Sequence, residues 1–334
     1  MKIIFLTRRF WPDKGGVEKH VYEISKILIK KGHSVTVVTE SQGNSDLFED
    51  IKIKRMPSFP VGKRRKFNIW FWMIKNRELF KKADIVHAHD VYYHYFPLKV
   101  LFLSKKSFVT FHGYETYPIA KKAIIIRKIS EKLATGNIIV GEFMQKWYGV
   151  KPTFSIYGGV NIPKKHIKPN KLNSAVFIGR LDEHTGVMDY VKAVKEIRKK
   201  YTRFELKILG DGPYFKKLKK YKPLGFKNNP MEYLSRYNFA FVSRYLSILE
   251  AFSHKRLVFA LYDNPVKKDY LEMTPFANFI ITADSPQKLA RKVMYFQKNP
   301  KQARKFIDAG YKWVKDQSWE NVTYTYLKLW RKRK

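Results

Sequence analysis

The 334-residue chain carries 67 Lys+Arg against 28 Asp+Glu, a formal net charge of +39, with 45% hydrophobic residues and no cysteine. That length suits two domains of ordinary size, and the composition is that of a folded chain. The missing cysteines exclude disulfides, thiol catalysis, iron–sulfur clusters and cysteine-ligated zinc. The charge points to polyanions, namely nucleic acid, an anionic membrane surface or a phosphorylated substrate, unless it reflects only a Lys-rich surface. The apolar run Ile3–Leu6 is too short for a signal-peptide core, and no run is long enough to span a bilayer, so a cytoplasmic protein is expected.

In chain order, Lys2–Leu6 reads as a strand, Gly15-Gly16 as a loop, Val17–Lys31 as a helix closed by Gly32, and Ser34–Thr39 as the next strand. This βαβ unit implies a parallel sheet. Strands at Ile51–Lys54, Asp84–Ala88, Ser107–Phe111, Asn137–Val140 and Thr153–Ile156 follow, with helices at Phe67–Lys82 and Ile124–Leu133. Pro163–Lys171 is polar, holds two prolines and lacks periodicity, which marks a linker. A second series then begins. Strands are expected at Ser174–Gly179, Phe204–Leu209, Phe239–Ser243, Leu257–Leu261 and Phe279–Thr282, and helices at Val187–Lys200, Leu246–Ser253, Pro286–Gln297, Pro300–Lys315 and Trp319–Lys334. The fold class is therefore α/β, two doubly wound halves in series.

In open parallel sheets ligands bind at the carboxyl ends of the strands. The loops expected there hold Gly15-Gly16, His112-Gly113, Gly158-Gly159, Gly179-Arg180 and Gly210-Asp211-Gly212, and another turn precedes Glu250. Glycines at such places let backbone N–H groups approach phosphate oxygens. One pair would mean only a tight turn, but the set recurs in both halves. The ordered segments FWPDKGGVEKHV, DIVHAHD, VTFHGYE, SIYGGVN, FIGRLDEHTG, KILGDGP and SILEAFSHKRLVFA resemble the family 4 glycosyltransferases of the GT-B fold.

The resemblance implies two Rossmann-like domains facing each other across a cleft. Residues 1–162, with a returning helix at 318–334, would bind the acceptor, and residues 172–317 the nucleotide-sugar. It implies that Gly15 and Gly16 face the donor phosphate, that His112 contacts the sugar near the reacting carbon, and that Arg180 binds the leaving diphosphate. Gly210, Asp211 and Gly212 would meet the nucleotide, and Leu249-Glu250 the ribose through the carboxylate. Preorganised donors of this kind stabilise the charge that builds on a departing phosphate. The implied reaction moves a hexosyl group from a nucleotide diphosphate sugar to a glycan or lipid-linked acceptor with retention and without a metal or other cofactor. The alternatives are a nucleotide-sugar epimerase of the same fold and a catalytically weak polyanion-binding relative. Nucleic acid is not the expected partner, because no helix-turn-helix, zinc-finger or RNA-recognition signature is present.

Two positions depart from the family pattern. Thr185 stands where a lysine is expected before Gly186. Val242 stands where the first of two paired glutamates would fall, eight residues before Glu250. His87, His89 and Asp90 could mimic a metal set, but His-x-His alone lacks further ligands at a definite spacing. Glu250 could also serve as a helix N-terminal carboxylate, and Asp211 as a turn residue.

One more segment stands out. Lys63, Arg64, Arg65 and Lys66 precede Phe67, Trp70 and Trp72. A helical face of Phe67, Trp70, Phe71 and Ile74 could simply pack on the sheet. The cations and tryptophans also suit an anionic membrane surface, which would place the protein at the inner face of the cell membrane.

Overall fold

The computed structural model describes every residue except 61, 63, 115, 228 and 332–334, with backbone alone at 171 and 172. Lys63 thus lies outside the described residues. The chain divides into two compact units, Met1–Tyr157 with the C-terminal helix Trp319–Arg331, and Gly158–Ser318.

In the first unit the strands are β1 (Lys2–Thr7), β2 (Ser34–Thr39), β3 (Leu47–Phe48), β4 (Ile51–Arg55), β5 (Ile85–His89), β6 (Ser107–Phe111), β7 (Gly136–Val140) and β8 (Phe154–Ile156). Their order across the sheet is β3-β4-β2-β1-β5-β6-β7-β8, parallel except for the β3–β4 pair. Every residue of β5 and β6 is buried, as expected for strands covered on both faces. The chain runs outward in one direction from β1 and in the other from β5. The crevice between those two carboxyl ends is where a ligand fits such a sheet.

The helix Gly16–Lys30 buries His20, Val21, Ile24 and Leu28 at helical spacing. The helix Trp319–Arg331 packs on it and on β7 and β8, burying Trp319, Val322, Tyr326, Leu329 and Trp330.

The single helix expected over Phe67–Lys82 is two, Arg65–Lys75 and Arg77–Lys81. Asn76 divides them. Its backbone (φ −99, ψ 20) leaves the helical region, and its side-chain amide donates to the Trp72 carbonyl. Helices at Phe96–Leu101 and Phe143–Tyr148 are too short to show a period in the sequence.

The second unit contains β9 (Lys171–Ile178), β10 (Glu205–Leu209), β11 (Tyr237–Phe241), β12 (Leu257–Leu261) and β13 (Ile280–Ala283). They form a parallel sheet in the order β10-β9-β11-β12-β13. Its direction reverses between β9 and β11. Phe177, Tyr190, Phe239, Phe241 and Phe259 form an aromatic core beneath the helices Val187–Arg198 and Pro286–Lys298.

Candidate functional site

At the reversal in the first unit, β1, β5 and β6 deliver their carboxyl ends side by side, with His89 paired to Thr110 and to Thr7. The loop after β1 leads to Gly15 and Gly16, both exposed, at the N-terminus of the Gly16–Lys30 helix. Gly15 is extended (φ −174), so it is not there for a left-handed turn. With no side chain, it makes room for the first-turn Glu18 carboxylate, which folds back against it at the N-terminus of the same helix.

His112 follows β6. Its backbone N–H donates to Asp90 Oδ1 at 2.8 Å, and its Nε2 lies 2.8 Å from His89 Nδ1. Asp90 holds this position from a left-handed backbone (φ 62). Arg127, buried against the Tyr148 ring at 4.0 Å, donates to the Gly113 carbonyl at 2.8 Å. The His112-Gly113 turn is therefore fixed from two sides.

Four histidine rings gather here. His20 stands edge-on to His112 with centroids 4.8 Å apart, and His89 and His112 lie 5.1 Å apart. Burial pulls the basicity of His20, His87 and His89 well below the usual imidazole range, with the His112 charge second in each, and pulls His112 down to about 3. The rings are neutral at physiological pH. His87 bonds Thr110 and Trp330 rather than a ligand, and among the described residues no three His, Asp or Glu side chains are placed to hold one metal ion. Tyr326 and Trp330 complete this cluster from more than two hundred residues downstream of His87, a pairing with no local signal in the sequence.

At the reversal in the second unit, β9 runs into Gly179-Arg180. Arg180 is exposed and pairs with Asp182 through Nε at 3.1 Å. Thr185 is buried. Its hydroxyl donates to the Arg180 carbonyl at 2.6 Å, and its N–H donates to Asp182 Oδ1 at 3.0 Å. It shapes the loop but supplies no charge.

A cation comes instead from elsewhere. Lys267, 2% exposed, donates from Nζ to the His184 carbonyl at 3.0 Å, and a Cβ on Gly186 would stand 3.7 Å from that ammonium. Burial first, then Arg244, pull Lys267 down to about 8, against the pull of Asp263, Asp189 and Asp182. It lies on the helix Pro265–Glu272, which the sequence reading missed. The signal was present: Asn264 caps that helix by accepting from the Lys267 N–H, and Pro265 takes its first turn.

Gly210 (φ +135) and Gly212 (φ +151) have a packing reason. A Cβ on Gly210 would collide with the Gly179 carbonyl, and one on Gly212 would stand 2.6 Å from the Leu181 carbonyl. The two loops are zipped together, with the Leu181 N–H donating to the Asp211 carbonyl at 2.8 Å. Asp211 is exposed, and its Oδ1 accepts from the Gly212 N–H, which is turn chemistry.

Glu250 is the sixth residue of the nine-residue helix Tyr245–Ser253, which rules out a role as its N-terminal carboxylate. It is 8% exposed. Leu249 is wholly buried and so packs behind Glu250 rather than presenting a side chain to a ligand. Val242 is wholly buried as well.

Residues 14–162 match the family described as Glycosyltransferase Family 4, and residues 160–313 match Glycosyl transferases group 1. The chain belongs to glycosyltransferase family 4. A phosphatidylinositol N-acetylglucosaminyltransferase subunit from Arabidopsis thaliana is 21% identical over 237 residues, covering 64% of this chain and 53% of that protein. The GPI3 subunit of the Saccharomyces cerevisiae enzyme is 34% identical over 94 residues, covering 26% and 21%. The matched stretches thus span only about half, or about a fifth, of these curated relatives.

Among solved structures, S. aureus TarM with fondaparinux, alpha-GlcNAc-glycerol and UDP superposes with a TM-score of 0.75 at 13% identity, over 99% of this chain and 100% of that one. A glycosyltransferase from Rickettsia africae gives 0.71 at 16%, over 99% and 98%. WaaG, involved in lipopolysaccharide biosynthesis, gives 0.70 at 13%, over 99% and 100%. The fold of this glycosyltransferase is GT-B.

The basic–aromatic segment of the glycosyltransferase differs from its sequence reading. On the helix Arg65–Lys75 the inward residues are Ile69 and Met73, while Phe67, Phe71 and Ile74 face solvent. Trp70 is anchored inward, donating from Nε1 to the Tyr93 carbonyl at 2.8 Å with Lys66 over its ring at 4.2 Å. Trp72 is half-buried. Arg65 is also half-buried and paired with Glu40, while Arg64 and Lys66 are exposed. Phe67, Phe71 and Ile74 fall at i, i+4 and i+7; Trp70 shares that face at i+3, edge-on to Phe67 at 5.9 Å, but its bond to the Tyr93 carbonyl draws it inward, while Trp72 falls off the line. The helix Phe96–Leu101, packed on this one, and the turn after it expose Val100, Leu101 and Leu103. No helix among the described residues is long and apolar enough to cross a membrane.

Proposed function

We propose that this glycosyltransferase moves a hexosyl group from a nucleotide diphosphate sugar to a lipid-linked acceptor at an anionic membrane surface, with retention of configuration. The observation that carries the reading is that each unit gathers its chemistry-bearing side chains at the carboxyl-end reversal of its own sheet. In the second unit Arg180 and Lys267 supply positive charge around one loop, which suits a diphosphate. Asp211 and Glu250 suit the nucleoside. In the first unit neutral His112 suits a sugar hydroxyl.

In the proposed reaction the bond from the anomeric carbon to the leaving phosphate breaks as the acceptor oxygen adds on the same face, and a phosphate oxygen takes the acceptor's proton. Arg180 and Lys267 stabilise the charge left on the diphosphate. Cationic side chains meet that charge, so the transfer is proposed to run without a metal, and turnover should survive a chelator.

A lipid acceptor is favoured by the exposed Phe67, Phe71 and Ile74 beside Arg64 and Lys66, and by the phosphatidylinositol in the relatives' names. The same patch supports membrane association, which we place at the cytoplasmic face.

A panel of nucleotide sugars tests the donor. The matching donor should raise the melting temperature with the logarithm of ligand concentration above its dissociation constant. Its sugar should be transferred only when acceptor is added. Sugar isomerised without acceptor would support the epimerase instead. A panel with no stabilising member would sink the donor reading.

A further inference from the structure

The histidine cluster of the first unit determines where its own protons sit. Trp330 Nε1 lies 3.0 Å from His87 Nδ1, and an indole only donates. His87 Nδ1 therefore accepts, and the neutral ring carries its proton on Nε2, 2.8 Å from Thr110 Oγ1. Thr110 passes its own hydrogen to the Tyr326 hydroxyl at 2.8 Å, and Tyr326 passes its own to His20 Nε2 at 2.9 Å. Run in reverse, the chain would leave the wholly buried Thr110 hydroxyl hydrogen without an acceptor.

His112 is constrained in the same way. His89 Nδ1 and His112 Nε2 share one hydrogen bond of 2.8 Å, so one nitrogen must donate. His89 is 1% exposed, and its Nε2 has no partner among the described residues. Its ring lies edge-on to Phe5 at 5.1 Å and parallel to Tyr326 at 6.0 Å. If His112 donated, neutral His89 would carry its proton on Nε2, burying an N–H with no acceptor. If His89 donates, Nε2 is left as a bare lone pair. Nε2 is unpaired in either case, but orphaned buried N–H groups are rarer than under-satisfied acceptors, and the pairing that avoids the N–H is preferred.

We infer that His89 is a positioning residue: it donates its Nδ1–H to His112 Nε2 and so holds His112 as the Nδ1–H tautomer. The bond made by one ring nitrogen decides what the other can do. His112 then presents an N–H, not a lone pair, from its remaining nitrogen. It recognises an oxygen acceptor and cannot act as a base there. On the proposed reading, on which this part rests, that oxygen belongs to a hydroxyl of the transferred sugar.

The test uses the full chain with nitrogen-15 histidine. Long-range proton–nitrogen correlation near neutral pH separates protonated from bare ring nitrogens, and a His112→Gln variant assigns the His112 signals. In the wild type, His112 Nδ1 should be protonated and Nε2 bare. His89→Asp puts an acceptor where the donor stood, and His112 should lose the Nδ1–H signature in favour of Nε2–H. His89→Asn, whose amide can donate, should retain it. A protonated His112 Nε2 in the wild type overturns the inference, even if His89→Asp does not fold. So does an unchanged His112 tautomer in folded His89→Asp. Nδ1–H in a protein that binds no nucleotide sugar overturns the proposed function and leaves this assignment standing.

Discussion

The membrane reading is tested by Phe67→Ser together with Phe71→Ser. These side chains are 65% and 71% exposed, so little folding energy rests on them. Fully burying a large apolar side chain is worth about 1.5–3 kcal/mol. Roughly two-thirds of that is available at each position, about 3 kcal/mol for the pair, or a loss of ~10²-fold in partitioning. Arg64→Glu with Lys66→Glu acts through charge instead, at about 1 kcal/mol per removed cation on an anionic surface. Co-sedimentation with phosphatidylserine vesicles reads both. The charge variant should approach wild-type behaviour at high salt, while the serine variant should stay weak at all salt concentrations. Tyr324→Ser, at a residue 62% exposed on the C-terminal helix, is the control and should bind as wild type. If the serine pair sediments like the wild type, or Tyr324→Ser falls equally, the apolar patch is not the docking face.

Arg180→Ala should keep its melting temperature, because an exposed pair such as Arg180–Asp182 adds little stability. Its turnover with the matching donor should fall by roughly 10²–10³-fold, and full turnover would remove Arg180 from the mechanism. Lys267→Met carries a pH signature. Folded Lys267 titrates at about 8 and an unfolded lysine near 10.4, so between those values the unfolded chain binds more protons. The contribution of Lys267 therefore rises with pH across that window, and below it the folded state carries a penalty of about 3 kcal/mol. Urea unfolding of wild type and variant should show their difference shifting by that amount between neutral pH and the top of the window, in favour of the wild type. A constant difference would mean the ammonium is not buried as described. The histidine cluster sets the acid limit. Its folded basicities are depressed, so the unfolded chain binds more protons below about 6.5 and stability falls as pH drops through that value. His20→Gln with His87→Gln should flatten this slope in acid unfolding curves, and an unaltered slope would assign it elsewhere.

The regular elements were legible because both sheets are built from short β-branched runs alternating with amphipathic helices. Sequence periodicity reports such features directly. It failed where the deciding contact lies outside the period. Asn76 splits a helix by bonding its own preceding turn, and the face chosen by Phe67, Phe71 and Ile74 depends on where Trp70 finds the Tyr93 carbonyl. Motif spacing located Arg180 and His112. It could not show that Leu249 is sealed in the core, that Gly210 is required by the Gly179 carbonyl, or that His112 is held by His89.

Thr185 illustrates why a motif departure is not by itself a loss of chemistry. Read along the chain, the loop from Arg180 to Gly186 lacks a cation, and the natural conclusion is a weaker grip on phosphate. In space the loop sits on Lys267, delivered by a helix eighty residues later. A lysine at 185 would place a second ammonium in the same low-dielectric pocket, where like charges disfavour one another. Thr185 instead directs its hydroxyl to the Arg180 carbonyl, fixing the loop over the ammonium. Thr185→Lys should therefore lower stability rather than restore binding, whereas the same change combined with Lys267→Met should be tolerated. Additive losses in the double variant would show that the two positions do not share one pocket.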